Sequence, residues 1–195
     1  MVSYFFQQRY AEAEKYYEQA MKIWERKFRD TPAGTVDAKT LLGNFSKGSV
    51  NSSQTEMTSQ GLLGVPEALM GEEQAKEEAT VATRLASSFI EQGKYTEAET
   101  LLWYALKISE KTLGKEDLAT VYCLGNLARL YQAQKQFVFA EFLYERAQQI
   151  ATVKYKLVPK GTKQIVENYI QFLKETGREH HAAELKRHFD VLRNL

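Results

Sequence analysis

The sequence predicts an all-α protein made of stacked helical hairpins, because one helix–turn–helix pattern recurs along it at a fixed spacing. Residues 82–108 and 124–150 carry the same order of small and large apolar residues, offset by 42 positions. A third copy follows at the same offset, as three equivalent alanines show: Ala98, Ala140 and Ala182. Fixed self-similarity at such a period is typical of a solenoid. Small residues recur where two helices approach closely and large ones where a gap is filled, which favours paired antiparallel helices.

The repeat divides the chain into a short first unit, an insert and a longer array. We expect a partial N-terminal repeat and three full hairpins with these bounds: partial repeat 1–29, insert 30–66, array 67–195, hairpins 67–114, 115–153 and 160–195. The first helix of the partial repeat would precede Met1, so we expect a trimmed or frayed end, or an apolar face covered by another chain. Gly, Ser, Thr and Asn dominate the insert, which predicts a mobile segment. Alternatively, residues 37–45 form a docking helix, because they echo residues 117–127.

Start and stop signals place six helices in the array. We expect them at about 67–92, 96–113, 117–134, 137–153, 163–176 and 179–194. Gly93 ends the first helix, Gly114 caps the second, and Asp117 is positioned as the N-cap of the third. Residues 155–164 form the predicted link to the last hairpin, with Pro159 as its stop signal. The last two helices become polar on one face, as expected where a solenoid ends.

This pattern resembles the tetratricopeptide repeat. The segment GKYTEAETLLWYALKISEKTLG (93–114) and the 42-residue step are similar to the kinesin-light-chain-type variant of that family. The resemblance covers about two thirds of the chain and implies a right-handed α-α superhelix, a tetratricopeptide-repeat solenoid. The chain departs from the family pattern at four places: Lys135 replaces a turn glycine, His-Pro is absent at 116–117, and Glu179 and Lys186 occupy normally apolar positions.

Composition argues against several functional classes. Twenty-six Lys and Arg against 25 Asp and Glu leave a formal net charge of +1, which offers little attraction for nucleic acid. No apolar run approaches the length of a membrane-spanning helix, and the N-terminus lacks the features of a secretion signal. Cys123 is the single cysteine, which excludes an intrachain disulfide and is compatible with a reducing compartment. We therefore expect a cytoplasmic protein with a buried, inert thiol.

Resemblance to this family also implies where a partner would bind. Related repeats hold peptides in a concave groove lined by the first helix of each hairpin, and the matching residues here are Arg84, Ser87, Tyr122, Asn126, Arg129, Gln164, Asn168 and Gln171. Other positions carried over with them include Thr83, Gly125 and Gln132. Asn126 and Asn168 stand one repeat apart, and an amide can both donate to and accept from a peptide backbone. The arginines would suit carboxylates. The alternative is a solvated helix face.

Two other clusters of polar residues offer candidate sites. His180, His181, Glu184 and His188 lie close together on the last helix, where spacings of i, i+3 and i+7 would allow two imidazoles and a carboxylate to meet zinc. We favour a solvated capping face, because no second element contributes a ligand. Four lysines cluster at the junction before the last hairpin, where we expect a solvated loop: Lys154, Lys156, Lys160 and Lys163.

The sequence thus predicts a non-catalytic module that binds a protein or peptide partner and needs no cofactor. The sequence pattern supplies no nucleophile with its base, no glycine-rich phosphate loop and no buried carboxylate pair. Two alternative functions are compatible with the sequence. One is a self-assembling factor, a homo-oligomer that uses the partial first repeat and the insert. The other is a metal-binding protein that uses the histidine cluster.

Overall fold

The computed structural model describes residues 71–155 and 160–193, together with the single positions Lys22 and Leu42. Every regular element within 71–155 and 160–193 is an α-helix, and we number these six α1 to α6: α1 Glu72–Glu91, α2 Tyr95–Thr112, α3 Leu118–Ala133, α4 Phe137–Tyr155, α5 Lys160–Glu175 and α6 Glu179–Arg193. The predicted all-α fold class is confirmed. Apart from the two single positions, the predicted partial repeat (1–29) and insert (30–66) lie outside the described residues.

The three hairpins share one turn geometry. The residues that open the turns, Gly93, Lys135 and Gly177, have left-handed backbones with φ of 72°, 60° and 75°. After each of them, the next residue donates a backbone hydrogen bond of 2.8 Å to a carbonyl five positions earlier. This is the Schellman-type end that usually requires glycine. Lys135 therefore adopts the backbone of the glycine that it replaces, at an energetic cost to a residue that has a Cβ atom.

Capping follows the sequence signals at the start of α3. The Asp117 carboxylate accepts a hydrogen bond of 2.9 Å from the Ala119 backbone N–H, as expected of an N-cap. Gly114, just beyond the end of α2, has a φ of 104°. Its carbonyl accepts from the buried Thr120 hydroxyl at 2.9 Å. Polar groups at the α2–α3 connection thus hydrogen-bond to one another.

The link before the last hairpin is shorter than predicted. Helix α4 continues to Tyr155 and α5 begins at Lys160. Gly161 and Thr162, expected as restart signals, lie inside the first turn of α5. That turn tolerates glycine, because its N–H groups need no partner from a preceding helical turn. The predicted lysine loop is corrected with it: Lys154, Lys160 and Lys163 are helical, and Lys156 lies outside the described residues.

Within the described ranges 71–155 and 160–193, the chain divides into two compact units, with the boundary between Cys123 and Leu124. In the described part of the N-terminal unit, residues 71–123, α1 packs against α2. Helix α1 buries four alanines: Ala75, Ala79, Ala82 and Ala86. Their small side chains let the helices approach closely. Between the helices, the Tyr104 hydroxyl donates a 2.5 Å hydrogen bond to the buried Glu78 carboxylate, so this carboxylate is not left without a partner.

The described part of the C-terminal unit, residues 124–155 and 160–193, has an aromatic core. Helix α5 packs on both α4 and α6. The rings of Tyr144, Tyr169 and Phe172 have centroids 5.4 to 6.3 Å apart, within the range of favourable aromatic contacts. The guanidinium carbon of Arg178 lies 5.3 Å from the centroid of the Phe172 ring, and Arg178 forms an ion pair with Glu141 on α4. This arginine ties the α5–α6 turn to α4.

Candidate functional site

The first helices of adjacent hairpins contact each other at one repeated position. In the C-terminal unit, a Cβ atom on Gly125 of α3 would lie 2.8 Å from Cγ1 of Ile165 on α5. In the N-terminal unit, the Thr83 hydroxyl of α1 lies 3.7 Å from the Cys123 sulfur of α3. In each pair the two residues are 40 positions apart in the chain. Thr83 and Gly125 occupy equivalent positions in successive repeats. Thr83 and Gly125, which the sequence predicts as groove positions, therefore contact the first helix of the next hairpin.

Gly125→Ala is expected to lower the free energy of unfolding by up to about 2 kcal/mol. The overpacking cost of about 1–3 kcal/mol is partly offset by alanine's better helix propensity, worth about 1 kcal/mol. In an Ile165→Ala background the three atoms that crowd this position are gone, and the same change should become neutral or stabilising. Urea unfolding of the wild type, the two single variants and the double variant measures this coupling. An equal effect of Gly125→Ala in both backgrounds would contradict the close approach of α3 and α5.

This close approach sets two rows of polar side chains next to each other. We call the following residues of the C-terminal unit the amide face: Asn126, Arg129, Gln132, Gln164, Asn168 and Gln171. On α3, Arg129 donates to the Asn126 side-chain oxygen at 3.3 Å. On α5, Gln164 donates to the Asn168 side-chain oxygen at 3.0 Å. Each asparagine oxygen thus already accepts a hydrogen bond from a neighbour about one turn away, while the side chains remain half-buried.

One carboxylate joins the two rows. Glu175 accepts from Gln132 of α3 at 2.7 Å and from Gln171 of α5 at 3.0 Å, through different oxygens. The Gln132 oxygen in turn accepts from the Tyr144 hydroxyl of α4 at 2.9 Å. Burial raises the pKa of the Tyr144 phenol, against the opposing charge of Arg129, so this hydroxyl remains a donor at neutral pH. The network holds Gln132 and Gln171 in one arrangement.

Sequence reasoning missed Glu175 and Tyr144. Glu175 lies four residues after Gln171 on α5, so extending the same helical face by one turn would have found it. No comparable signal marks Tyr144, which belongs to the second helix of its hairpin and sends its hydroxyl across to α3. Its contribution depends on how helices of one hairpin pack, which the repeat pattern alone does not resolve.

The remaining predicted groove residues belong to the N-terminal unit. Arg84 of α1 is exposed, while Ser87 and Tyr122 are half-buried. The Ser87 hydroxyl donates to the Thr83 backbone carbonyl at 3.1 Å, a local bond within α1. These three residues stay predicted binding positions.

The single cysteine is inaccessible to solvent. Cys123 is buried, and burial raises the pKa of its thiol from about 9 to about 11 although the Thr83 hydroxyl favours the thiolate. At neutral pH the group is therefore a thiol, the form that reacts poorly. This agrees with the expected inert role.

The histidine cluster is spread along α6. One contact within it joins His180 Nδ1 to Glu184 Oε2 at 3.8 Å, and both side chains are well exposed. The His181 ring contacts Tyr169 edge-on, with centroids 6.4 Å apart. Across the described ranges 71–155 and 160–193, no group of three His, Cys, Asp or Glu residues is arranged to hold a metal ion. In the same ranges, no helix is both long and apolar enough to cross a membrane.

Three helical hairpins with a repeated contact between first helices define the described residues as part of a helical-repeat protein. The sequence pattern of the tetratricopeptide repeat matches residues 77–152, and a second pattern of the same repeat matches residues 2–33. Together these matches span more than half of the chain, which belongs to the tetratricopeptide repeat family. Such repeats generally mediate protein–protein interaction and are typically non-catalytic. Among curated proteins, none matches this sequence.

Proposed function

We propose that this chain is a non-catalytic interaction module that binds an extended peptide segment of a partner protein along its first helices. The observation that carries the proposal is the amide face, where Asn126 and Asn168 occupy equivalent positions on α3 and α5. Backbone recognition requires amides that donate to carbonyls and accept from N–H groups at a repeated spacing. Arg84, Ser87 and Tyr122 are proposed binding positions within the N-terminal unit.

The hydrogen bonds of this face indicate how a peptide would be held. Because the Asn168 oxygen accepts from Gln164, we expect the amide N–H₂ of Asn168 to donate to peptide carbonyls. Gln171 donates one N–H to Glu175, which leaves its oxygen available to accept from a peptide N–H. The positive charge of Arg129 is balanced by Glu175, which accepts hydrogen bonds from Gln132 and Gln171 of the face, so the surface has little net charge. That balance favours recognition of backbone over recognition of a strongly charged ligand.

Replacing both asparagines by alanine in one variant tests the proposal. Peptides selected on the wild-type protein from a random displayed library should bind the Asn126→Ala/Asn168→Ala variant about fivefold to more than a hundredfold more weakly. Each amide contributes on the order of 0.5–1.5 kcal/mol to such a contact. Calorimetric titration measures the affinities, and circular dichroism checks that helicity is unchanged.

The matched control is Lys186→Ala, on the exposed side of α6. Glu145 on α4 would be unsuitable as a control because its carboxylate accepts from the Tyr169 hydroxyl at 3.3 Å. Equal affinity of the wild type and the double-alanine variant, with both folded, would move the binding site away from the amide face.

A cytoplasmic location and the kinesin-light-chain-like subtype are further parts of the proposal. The inert, buried Cys123 supports the first, because a lone reduced thiol is typical of a reducing compartment. The 42-residue step supports the second. Self-assembly through the partial repeat and the insert depends on residues outside the described ranges.

A further inference from the structure

The start of α4 carries an exposed apolar patch. We define the Phe137 patch as Phe137, Val138 and Phe139, whose exposed fractions are 45%, 64% and 43%. Of the described residues, one other large hydrophobic side chain is exposed to this degree, Val191 on α6. Three consecutive exposed apolar residues are unusual on a protein surface unless they serve an interaction.

The patch is particular to this hairpin. The equivalent residues are Tyr-Thr-Glu at 95–97 in the first hairpin and Glu-His-His at 179–181 in the last. The turn geometry is the same in all three, so the fold does not require three consecutive apolar residues here. Position 137 is normally apolar in the repeat, as at Tyr95, but Val138 and Phe139 have polar equivalents in both other hairpins.

Two of the three side chains pack against aromatic rings of neighbouring helices. The Phe137 ring lies 6.1 Å from the buried Phe172 ring, and the Phe139 ring lies 5.7 Å from the Tyr131 ring, measured between centroids. Each ring has one side against the core and one side open to solvent. A rigid aromatic surface loses little conformational entropy on binding, which is why such residues act as anchors at interfaces.

A positive charge borders the patch. Lys135 lies two residues before Phe137, is exposed, and forms no ion pair with any described residue. The carboxylate of Glu141, one turn beyond Phe137, is already paired with Arg178. Lys135 also keeps the left-handed backbone that Gly93 and Gly177 adopt without a Cβ atom. A strained lysine at a turn where glycine would be favoured is consistent with a use for its charge.

The size of the patch decides between possible occupants. With about 150–250 Å² for a whole aromatic side chain, the three residues expose on the order of 300 Å². A stable dimer buries about 800 Å² on each partner, so a second copy of this chain would need much more surface than this patch provides. The patch fits a short segment with a few large apolar side chains.

We propose that the Phe137 patch docks a short segment of a partner protein that carries large apolar side chains next to acidic residues. The apolar side chains pack on Phe137, Val138 and Phe139, and an acidic residue pairs with Lys135. This contact is separate from the amide face, whose residues lie on α3 and α5. It gives the protein a second contact with a partner, or a contact with a second partner.

The test uses two synthetic peptide pools with identical pairs of large apolar residues, flanked either by glutamate or by lysine. We expect the glutamate pool to bind and to shift the backbone amide signals of residues 135–139 in an NMR titration of isotope-labelled protein. Val138→Lys should weaken this binding by about tenfold or more, since it places a charge at the centre of the contact. Val191→Lys is the matched control, with 61% exposure against 64%, and should leave binding unchanged.

Lys135→Gly separates the charge from folding. This variant should raise the melting temperature by about 2–4 °C because it removes the left-handed strain. It should also weaken binding of the glutamate pool by about threefold at low salt, and by less at high salt. A structural role for Lys135 would not predict greater stability together with weaker binding.

Three results would overturn the proposal: equal binding of the two pools, no binding of either, or binding unaffected by Val138→Lys. A concentration-dependent dimer in sedimentation that Val138→Lys abolishes would also overturn it, because a second copy would then cover the patch. The Asn126→Ala/Asn168→Ala variant should bind the glutamate pool normally. A negative result with the peptide pools would therefore leave the proposal for the amide face intact. A negative result for the amide face would leave the test of the Phe137 patch valid.

Discussion

Replacing Phe172 by alanine is expected to lower the free energy of unfolding by about 3–5 kcal/mol. Phe172 has no exposed surface and its ring contacts Tyr144, Tyr169 and Phe137. Truncation removes these contacts and leaves a cavity where α4 and α5 meet. Since a domain of this size is stable by only about 5–15 kcal/mol, the loss is a large part of the total. Equilibrium unfolding in urea, followed by circular dichroism, measures it.

Val191→Ala is the comparison for this prediction, because Val191 is exposed on α6 and its truncation should change stability by no more than about 0.5 kcal/mol. The Phe172 variant should also alter the NMR signals of Phe137, whose ring rests on Phe172. If Phe172→Ala and Val191→Ala proved equally mild, the aromatic cluster would not be the core of the C-terminal unit.

Alkaline pH is expected to destabilise the wild-type protein by about 2–3 kcal/mol through Cys123 alone. Burial raises the pKa of this thiol to about 11 in the folded chain, against about 9 when it is exposed. Between these values the unfolded state loses its proton while the folded state keeps it. Stability is therefore fully present below about pH 9 and declines as the pH rises towards about 11.

Cys123→Ala isolates this effect. The variant lacks the thiol, so its stability should fall less steeply over the same pH range, whatever its stability at neutral pH. Tyr144, whose pKa burial also raises, titrates in both proteins and cancels in the comparison. Identical pH profiles of the wild type and the variant would show that the Cys123 thiol is not buried as described. Slow modification by a thiol reagent at neutral pH offers an independent check.

The sequence by itself determined the fold class and the hairpin turns. Apolar periodicity and the 42-residue step come from short-range physics, since helix formation and hairpin closure depend on residues close together in the chain. Gly93, Gly177 and Asp117 mark helix ends because few other residues satisfy those backbone conformations or orphan N–H groups. For the same reason, the Lys135 turn was recognisable as a departure from the pattern.

Tertiary structure alone decided which residues on the exposed side of the first helices face solvent and which lie between helices. Thr83 and Gly125 occupy positions that a helical face predicts as accessible, yet each contacts a residue 40 positions later on the neighbouring helix. The joining of Gln132 to Glu175, and of Tyr144 to Gln132, likewise depends on how closely helices approach. That distance is set by which side chains meet across the interface, and periodicity within one helix carries no information about it.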